Sequence, residues 1–102
     1  MDRQGGKKIP RNPKEPVVRA AFARVLVEHR ERVGLTQAQV GDASGYEEKY
    51  IGALERRKHT PTLTAVIQIS KALNASPLDI FSEVLKLMPK FQHLEKEPST
   101  DD

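Results

Sequence analysis

Apolar residues recur every three or four positions along most of residues 17–88, which is the spacing of one face of an α-helix. The first such stretch contains Val18, Phe22 and Leu26, and it ends at Gly34, a residue suited to the left-handed turn after a helix. No stretch shows the strict alternation that is typical of a half-buried strand. The pattern predicts an all-α fold of five short helices within one compact domain.

Capping residues divide the rest of this region into further helices. Thr36 followed by Gln39 is a capping-box pattern and opens the second helix. Thr62 and Ser76 are N-cap residues for the fourth and fifth helices, because their hydroxyl oxygens accept hydrogen bonds from free backbone amides. Asn74 suits a left-handed cap between these two helices.

A tight turn separates the second helix from the third. Gly45 supplies the positive φ that such a turn needs, and the third helix is predicted from about residue 47 to residue 56. Only Ile51 and Leu54 are firmly apolar there, so this helix packs on the core while its other face stays exposed. Two short helices joined in this way form a helix-turn-helix. The predicted core comprises Phe22, Leu26, Val40, Ile51, Leu54, Leu63, Val66, Leu73 and Phe81.

The fifth helix has more apolar residues than one face can bury. One stripe, expected to pack on the core, consists of Leu78, Phe81, Leu85 and Met88. The opposite stripe, expected to form a homodimer interface, consists of Ile80, Val84, Leu87 and Phe91. The alternative is that Phe91 and Leu94 fold back and cover this second stripe.

The charges are unevenly distributed along the 102 residues, which carry a net charge of +3. Residues 1–16 contain five basic and two acidic side chains, and they are expected to form a disordered basic arm that either attracts a polyanion or is only a solvated tail. Residues 17–88 form the predicted domain. Residues 89–102 are expected to form a mostly disordered acidic tail. The chain has no cysteine, no signal-like start and no membrane-spanning stretch, so we expect a cytoplasmic protein.

Several motifs occur in register: "TQAQVGDASG" at the second helix, "GALERR" at the end of the third, "KHTPTL" and "ISKALNASPLDIF" beyond it. Over residues 22–85 the sequence resembles helix-turn-helix proteins of the lambda repressor/Cro type, the xenobiotic-response-element family. The small Gly41 stands where this family usually has alanine, and it permits a close helix crossing. Arg57 departs from the pattern, because it replaces the glycine that normally follows the third helix.

The resemblance also implies a structural ion pair between Arg30 and Glu55. In the family this pair joins the first helix to the end of the third, which would fix the orientation of the third helix. The alternative is two exposed charges worth at most about 1 kcal/mol.

The resemblance implies that the third helix enters the DNA major groove with its N-terminal residues first. The implied base-facing residues are Glu48, Lys49, Gly52 and Ala53. Lys49 suits guanine, whereas Glu48 either accepts from cytosine or only complements the helix dipole. The candidate phosphate contacts are Gln37, Arg56, Arg57, Lys58, His59, Thr60 and Thr62.

These expectations define a sequence-specific DNA-binding transcriptional regulator that binds a palindromic operator as a homodimer. The alternative is an antitoxin-type or other module that uses the same fold to bind a protein. An enzyme is not expected, since His29, His59 and His93 lie on separate segments without the spacing of metal ligands or of a catalytic pair. No metal and no cofactor is expected.

Overall fold

The computed structural model describes residues 12–95, and it contains five α-helices followed by one 3-10 helix. The helices are α1 (Glu15–Val33), α2 (Gln37–Ser44), α3 (Glu48–Glu55), α4 (Leu63–Ala72), α5 (Pro77–Leu87) and the 3-10 helix (Met88–Leu94). The described part of the chain has no strand, so the predicted all-α class is confirmed. Helix α2 packs on α3 and α4, while α1 packs on α3, α5 and the 3-10 helix.

The predicted capping residues begin the helices. The backbone amide of Gln39 donates to the Thr36 hydroxyl oxygen at 3.1 Å, and the Thr36 amide donates to the Gln39 side-chain oxygen at 2.8 Å. Thr62 and Ser76 accept in the same way from backbone amides at the starts of α4 and α5. Local side-chain chemistry therefore fixes where three of the helices start.

Gly41 lets α2 pass closely over the start of α3. A Cβ atom on this residue would lie 2.5 Å from the backbone oxygen of Tyr46, which is closer than such atoms approach in proteins. The two helices of the motif can therefore cross at this distance only when this position is small, as the sequence predicted. Gly45 then reverses the chain with a φ of 85°.

The turn after α3 keeps its shape without a glycine. Arg57 has a φ of 64°, its amide donates to Leu54 at 3.1 Å, and the Lys58 amide donates to Ala53 at 2.9 Å. This pair of bonds is the Schellman arrangement, in which the left-handed residue is usually glycine. The left-handed conformation of a residue other than glycine raises the free energy of the folded state by roughly 1–2 kcal/mol. Other contacts must therefore offset this cost at Arg57.

The core differs from the sequence prediction at α5 and at the first turn of α4. Ile80 and Val84 are only 2% and 6% exposed, whereas Phe81 is 55% exposed, so the two stripes of α5 are exchanged. Leu63 is 76% exposed and was also wrongly placed in the core. Both stripes are almost equally apolar, so the sequence pattern gave no reason to choose between them.

The expected dimer interface is therefore part of the core of a single chain. Phe91 is buried, and Leu87 and Leu94 pack against the core from its edge. The alternative of a folded-back tail was correct for Phe91 and Leu94, although the 3-10 helix packs mainly against α1.

Beyond the predicted domain boundary at residue 89, the chain continues into the 3-10 helix. Pro89 ends α5, since it cannot donate the next helical hydrogen bond, but it suits the first turn of the 3-10 helix. The Glu95 carboxylate lies 2.7 Å from the Lys14 ammonium group, which joins the two ends of the described chain. Most of the basic arm and the rest of the acidic tail lie outside the described residues.

Candidate nucleic-acid interface

A partly buried ion pair fixes the end of α3 to α1, as the resemblance implied. The Arg30 guanidinium donates to both oxygens of Glu55, at 2.6 Å from Nε and 3.1 Å from Nη2, and to the backbone oxygen of Leu35 at 2.9 Å. The side chains of Arg30 and Glu55 are 17% and 7% exposed, so this is not a pair of surface charges. The hydrogen bonds to Glu55 raise the pKa of Arg30 against the opposing effect of burial, which keeps the guanidinium charged.

Gln37 joins this network from the start of α2. Its amide nitrogen donates to Glu55 at 2.8 Å, so one carboxylate holds side chains from α1 and α2. The resemblance implied that Gln37 points at a phosphate, whereas in this structure its amide is committed to Glu55. The same side chain lies 3.2 Å from where a Cβ atom on Gly52 would be.

The exposed part of α3 is its N-terminal turn. Glu48 and Lys49 are exposed, in agreement with the predicted reading surface. Gly52 and Ala53, the other two predicted base-facing residues, are buried in the single chain. The ends of the Gln37 and Arg56 side chains lie over Gly52.

An aromatic row lies beside the exposed turn of α3. The ring centroids of Tyr46 and Tyr50 are 4.9 Å apart, and those of Tyr50 and His59 are 6.3 Å apart with a near-parallel orientation. Burial, assisted by the neighbouring Tyr46, raises the pKa of Tyr50, while a backbone hydrogen bond at Thr62 lowers it. Tyr50 was missed from the sequence, and helical spacing could not indicate its contact with Tyr46, because Tyr46 precedes α3.

Exposed basic residues follow α3 in the connection to α4. Arg56, Arg57, Lys58 and His59 are all exposed, as expected for residues that contact phosphates. The Thr60 hydroxyl oxygen already accepts from Arg19 Nε at 2.8 Å, and this bond ties the connection to α1. Four of the seven predicted phosphate contacts are thus exposed at the C-terminal end of α3 and in the segment that follows it.

A separate apolar surface covers the side of the molecule formed by α4 and α5. We call this the α4–α5 face, and its exposed residues are Leu63, Leu78, Phe81 and Leu85. A groove of about 430 Å³ runs through it, with Val18 and Pro61 at its margin. Four large apolar side chains exposed together are unusual for a monomer and typical of a contact surface.

Within residues 12–95, no three His, Cys, Asp or Glu side chains are placed to hold a metal ion together. None of the described helices is both long enough and apolar enough to cross a membrane.

Comparison with known proteins identifies the same motif. A family model described as a helix-turn-helix domain matches residues 21–80. An uncharacterised HTH-type transcriptional regulator, y4dJ of Sinorhizobium fredii, is 33% identical over 64 residues, which cover 63% of this chain and 78% of the relative. The control protein C.SmaI of Serratia marcescens is 34% identical over 59 residues, which cover 58% of this chain and 70% of the relative.

The fold has a similar counterpart among solved structures. The clp gene regulator ClgR from Corynebacterium glutamicum superimposes with a TM-score of 0.69 at 26% identity, covering 78% of this chain and 84% of that protein.

Proposed function

Because this chain belongs to the helix-turn-helix domain family, of the lambda repressor/Cro type, we propose that it is a sequence-specific DNA-binding transcriptional regulator. One observation carries the proposal: α3 exposes its N-terminal turn and is followed by a segment of exposed cations, and an ion pair to α1 holds that helix in place. The printed names of two relatives, a transcriptional regulator and a control protein, support the same class.

The geometry suggests how such a protein reads DNA. The first turn of α3 enters the major groove, where Lys49 donates to the acceptors O6 and N7 of guanine. Glu48 stands next to it and accepts from the amino group of cytosine. The cations Arg56 and Lys58 bind phosphates, which sets the position of α3 without adding sequence preference.

We further propose that the protein binds as a homodimer through the α4–α5 face. This face replaces the buried stripe as the interface, because Leu78 and Leu85 are 80% and 51% exposed on the single chain. Burial of side chains of this size contributes roughly 1.5–3 kcal/mol each when it is complete. A two-fold axis through α5 would pair two copies of α3 with the half-sites of a palindrome.

Selection from a random pool of duplex DNA with the purified protein tests the function. A palindromic consensus supports both base recognition by α3 (the reading helix) and the dimer. A consensus without symmetry supports base recognition by α3 alone. Lys49→Ala should weaken binding by about 1–3 kcal/mol at one base pair of each half-site and relax the preference there. Recovery of no consensus would contradict the proposed function.

Sedimentation of Phe81→Glu tests the interface separately. The added carboxylates would lie near the two-fold axis, so the variant should stay helical and sediment as an 11.4 kDa monomer. Gln68→Glu is the matched control, because it makes the same change of charge at an exposed position of α4. If Phe81→Glu remained a dimer, the α4–α5 face would not be the dimer interface.

A further inference from the structure

The ring of Phe91 lies between the C-terminal 3-10 helix and the turn that follows α3. The Arg57 Cζ atom is 5.1 Å from the ring centroid, and the Arg24 Cζ atom is 5.5 Å from it. Both distances fall within the range of a cation–π contact. Phe91 itself is buried, so its position is fixed by the core rather than by the two arginines.

The Phe91 side of this contact lies beyond the residues that the family model matches. The family match ends at residue 80, whereas the 3-10 helix spans Met88–Leu94. At the other end of the contact, Arg57 has a φ of 64° after α3, a left-handed conformation that favours glycine. A non-glycine residue in this conformation and the 3-10 helix therefore meet at one point of the structure.

A guanidinium in a cation–π contact keeps its hydrogen-bonding capacity. The Arg57 side chain is exposed, so its N–H donors remain able to bind a phosphate in the bidentate manner. Between Asn12 and Glu95, no carboxylate lies within salt-bridge distance of Arg57 or Arg24. Two cations beside one ring, with no counter-charge from the described residues, favour an anion at this place.

We propose that Phe91 is a positioning residue for DNA binding, which holds the Arg57 guanidinium at the end of α3 so that it binds a backbone phosphate. The proposal rests on the proposed function, and it adds the C-terminal 3-10 helix to the machinery of phosphate contact. It also offers a reason for an arginine at a backbone position that favours glycine, since this long cationic side chain reaches the ring.

The salt dependence of DNA binding tests this role. Affinity for a fluorescently labelled duplex is measured between about 50 and 200 mM salt, because each phosphate contact adds about 0.9 to the slope of log K against log salt concentration. Phe91→Leu keeps apolar bulk but removes the ring, and it should reduce the slope by up to about 0.9 for each half-site. A loss of folded protein alone would lower the active fraction and leave the slope unchanged.

Two further variants separate positioning from packing. Arg57→Ala should reduce the slope by the same amount, and Phe91→Leu should cause no further reduction in that background. Phe91→Tyr keeps the ring face and should therefore bind DNA with the same salt slope as the wild type. Arg57→Ala also keeps the test decisive if Phe91→Leu does not fold, because an unchanged slope in Arg57→Ala overturns the proposal.

Other outcomes distinguish this proposal from the proposed function. A wild type that binds DNA, together with an unchanged slope in folded Phe91→Leu, overturns the positioning role and leaves the regulator assignment standing. A reduction by Phe91→Leu that persists in the Arg57→Ala background also overturns it, since the ring then acts through another group. A wild type that binds no DNA overturns both proposals.

Discussion

Removal of the Arg30 guanidinium should show how strongly the reading helix depends on α1. In Arg30→Ala the Glu55 carboxylate, which is 7% exposed, loses two hydrogen bonds and its counter-charge. It keeps only the bond from Gln37, at 2.8 Å. The variant therefore leaves a mostly buried negative charge beside the end of α3, and this charge is the main source of the expected destabilisation.

The magnitude follows from the burial of the pair. Breaking a fully buried ion pair costs about 3–5 kcal/mol, and an exposed pair contributes about 0.2–1 kcal/mol. Because the Arg30 side chain is 17% exposed, we expect a loss of roughly 3 kcal/mol, at the lower end of the buried range. In a domain of this size, that loss lowers Tm by at least about 12 °C.

Urea and thermal unfolding of four proteins measure this effect. The set is the wild type, Arg30→Ala, Glu55→Ala and the double variant, and the coupling energy of this cycle isolates the pair. Arg32→Ala is the matched control, because it removes an exposed arginine from the last turn of the same helix and should change stability by no more than about 0.5 kcal/mol. If Arg30→Ala costs no more than Arg32→Ala, the pair does not hold α3.

Three other predictions concern the reading turn, the core and the aromatic row. Glu48→Gln should shift the base preference from cytosine toward adenine in a repeated selection, whereas a uniform gain in affinity would mean that Glu48 only complements the helix dipole. Val84→Glu should unfold the chain in circular dichroism, because Val84 is 6% exposed, while Phe81→Glu should remain helical. Burial raises the pKa of Tyr50 above 10.0, so the stability that its neutral phenol contributes is complete below pH 10 and is lost as the pH rises through the folded pKa. Tyr50→Phe should therefore make alkaline unfolding shallower, and an unchanged profile would contradict this.

The parts of the fold that depend on local chemistry could be predicted from the sequence. Thr36, Thr62 and Ser76 cap helices through their own side chains, and Gly34 and Asn74 adopt the left-handed turns that their residue types favour. Such features depend on neighbours within four residues, so they can be predicted from the sequence alone.

The contacts made between distant segments were harder to predict. The choice between Ile80 and Phe81 depends on how α5 rotates against α1 and α4, and both faces of α5 are apolar enough to be buried. The burial of Gly52 depends on the Arg56 side chain, four residues later, and on Gln37 from α2, whose approach no helical pattern indicates. The Arg57–Phe91 contact joins residues far apart in the chain, so neither helical spacing nor capping rules indicate it.

The most direct test of the central claim is the ratio of two affinities. The affinity of the wild type is measured for two duplexes at the same salt concentration. One is the palindrome recovered by selection, and the other has the same base composition in scrambled order. A sequence-specific regulator should bind the palindrome at least about 10³-fold more tightly. Equal affinity for the two duplexes would contradict sequence-specific reading by α3, and failure to bind either would favour a module that uses this fold to bind a protein.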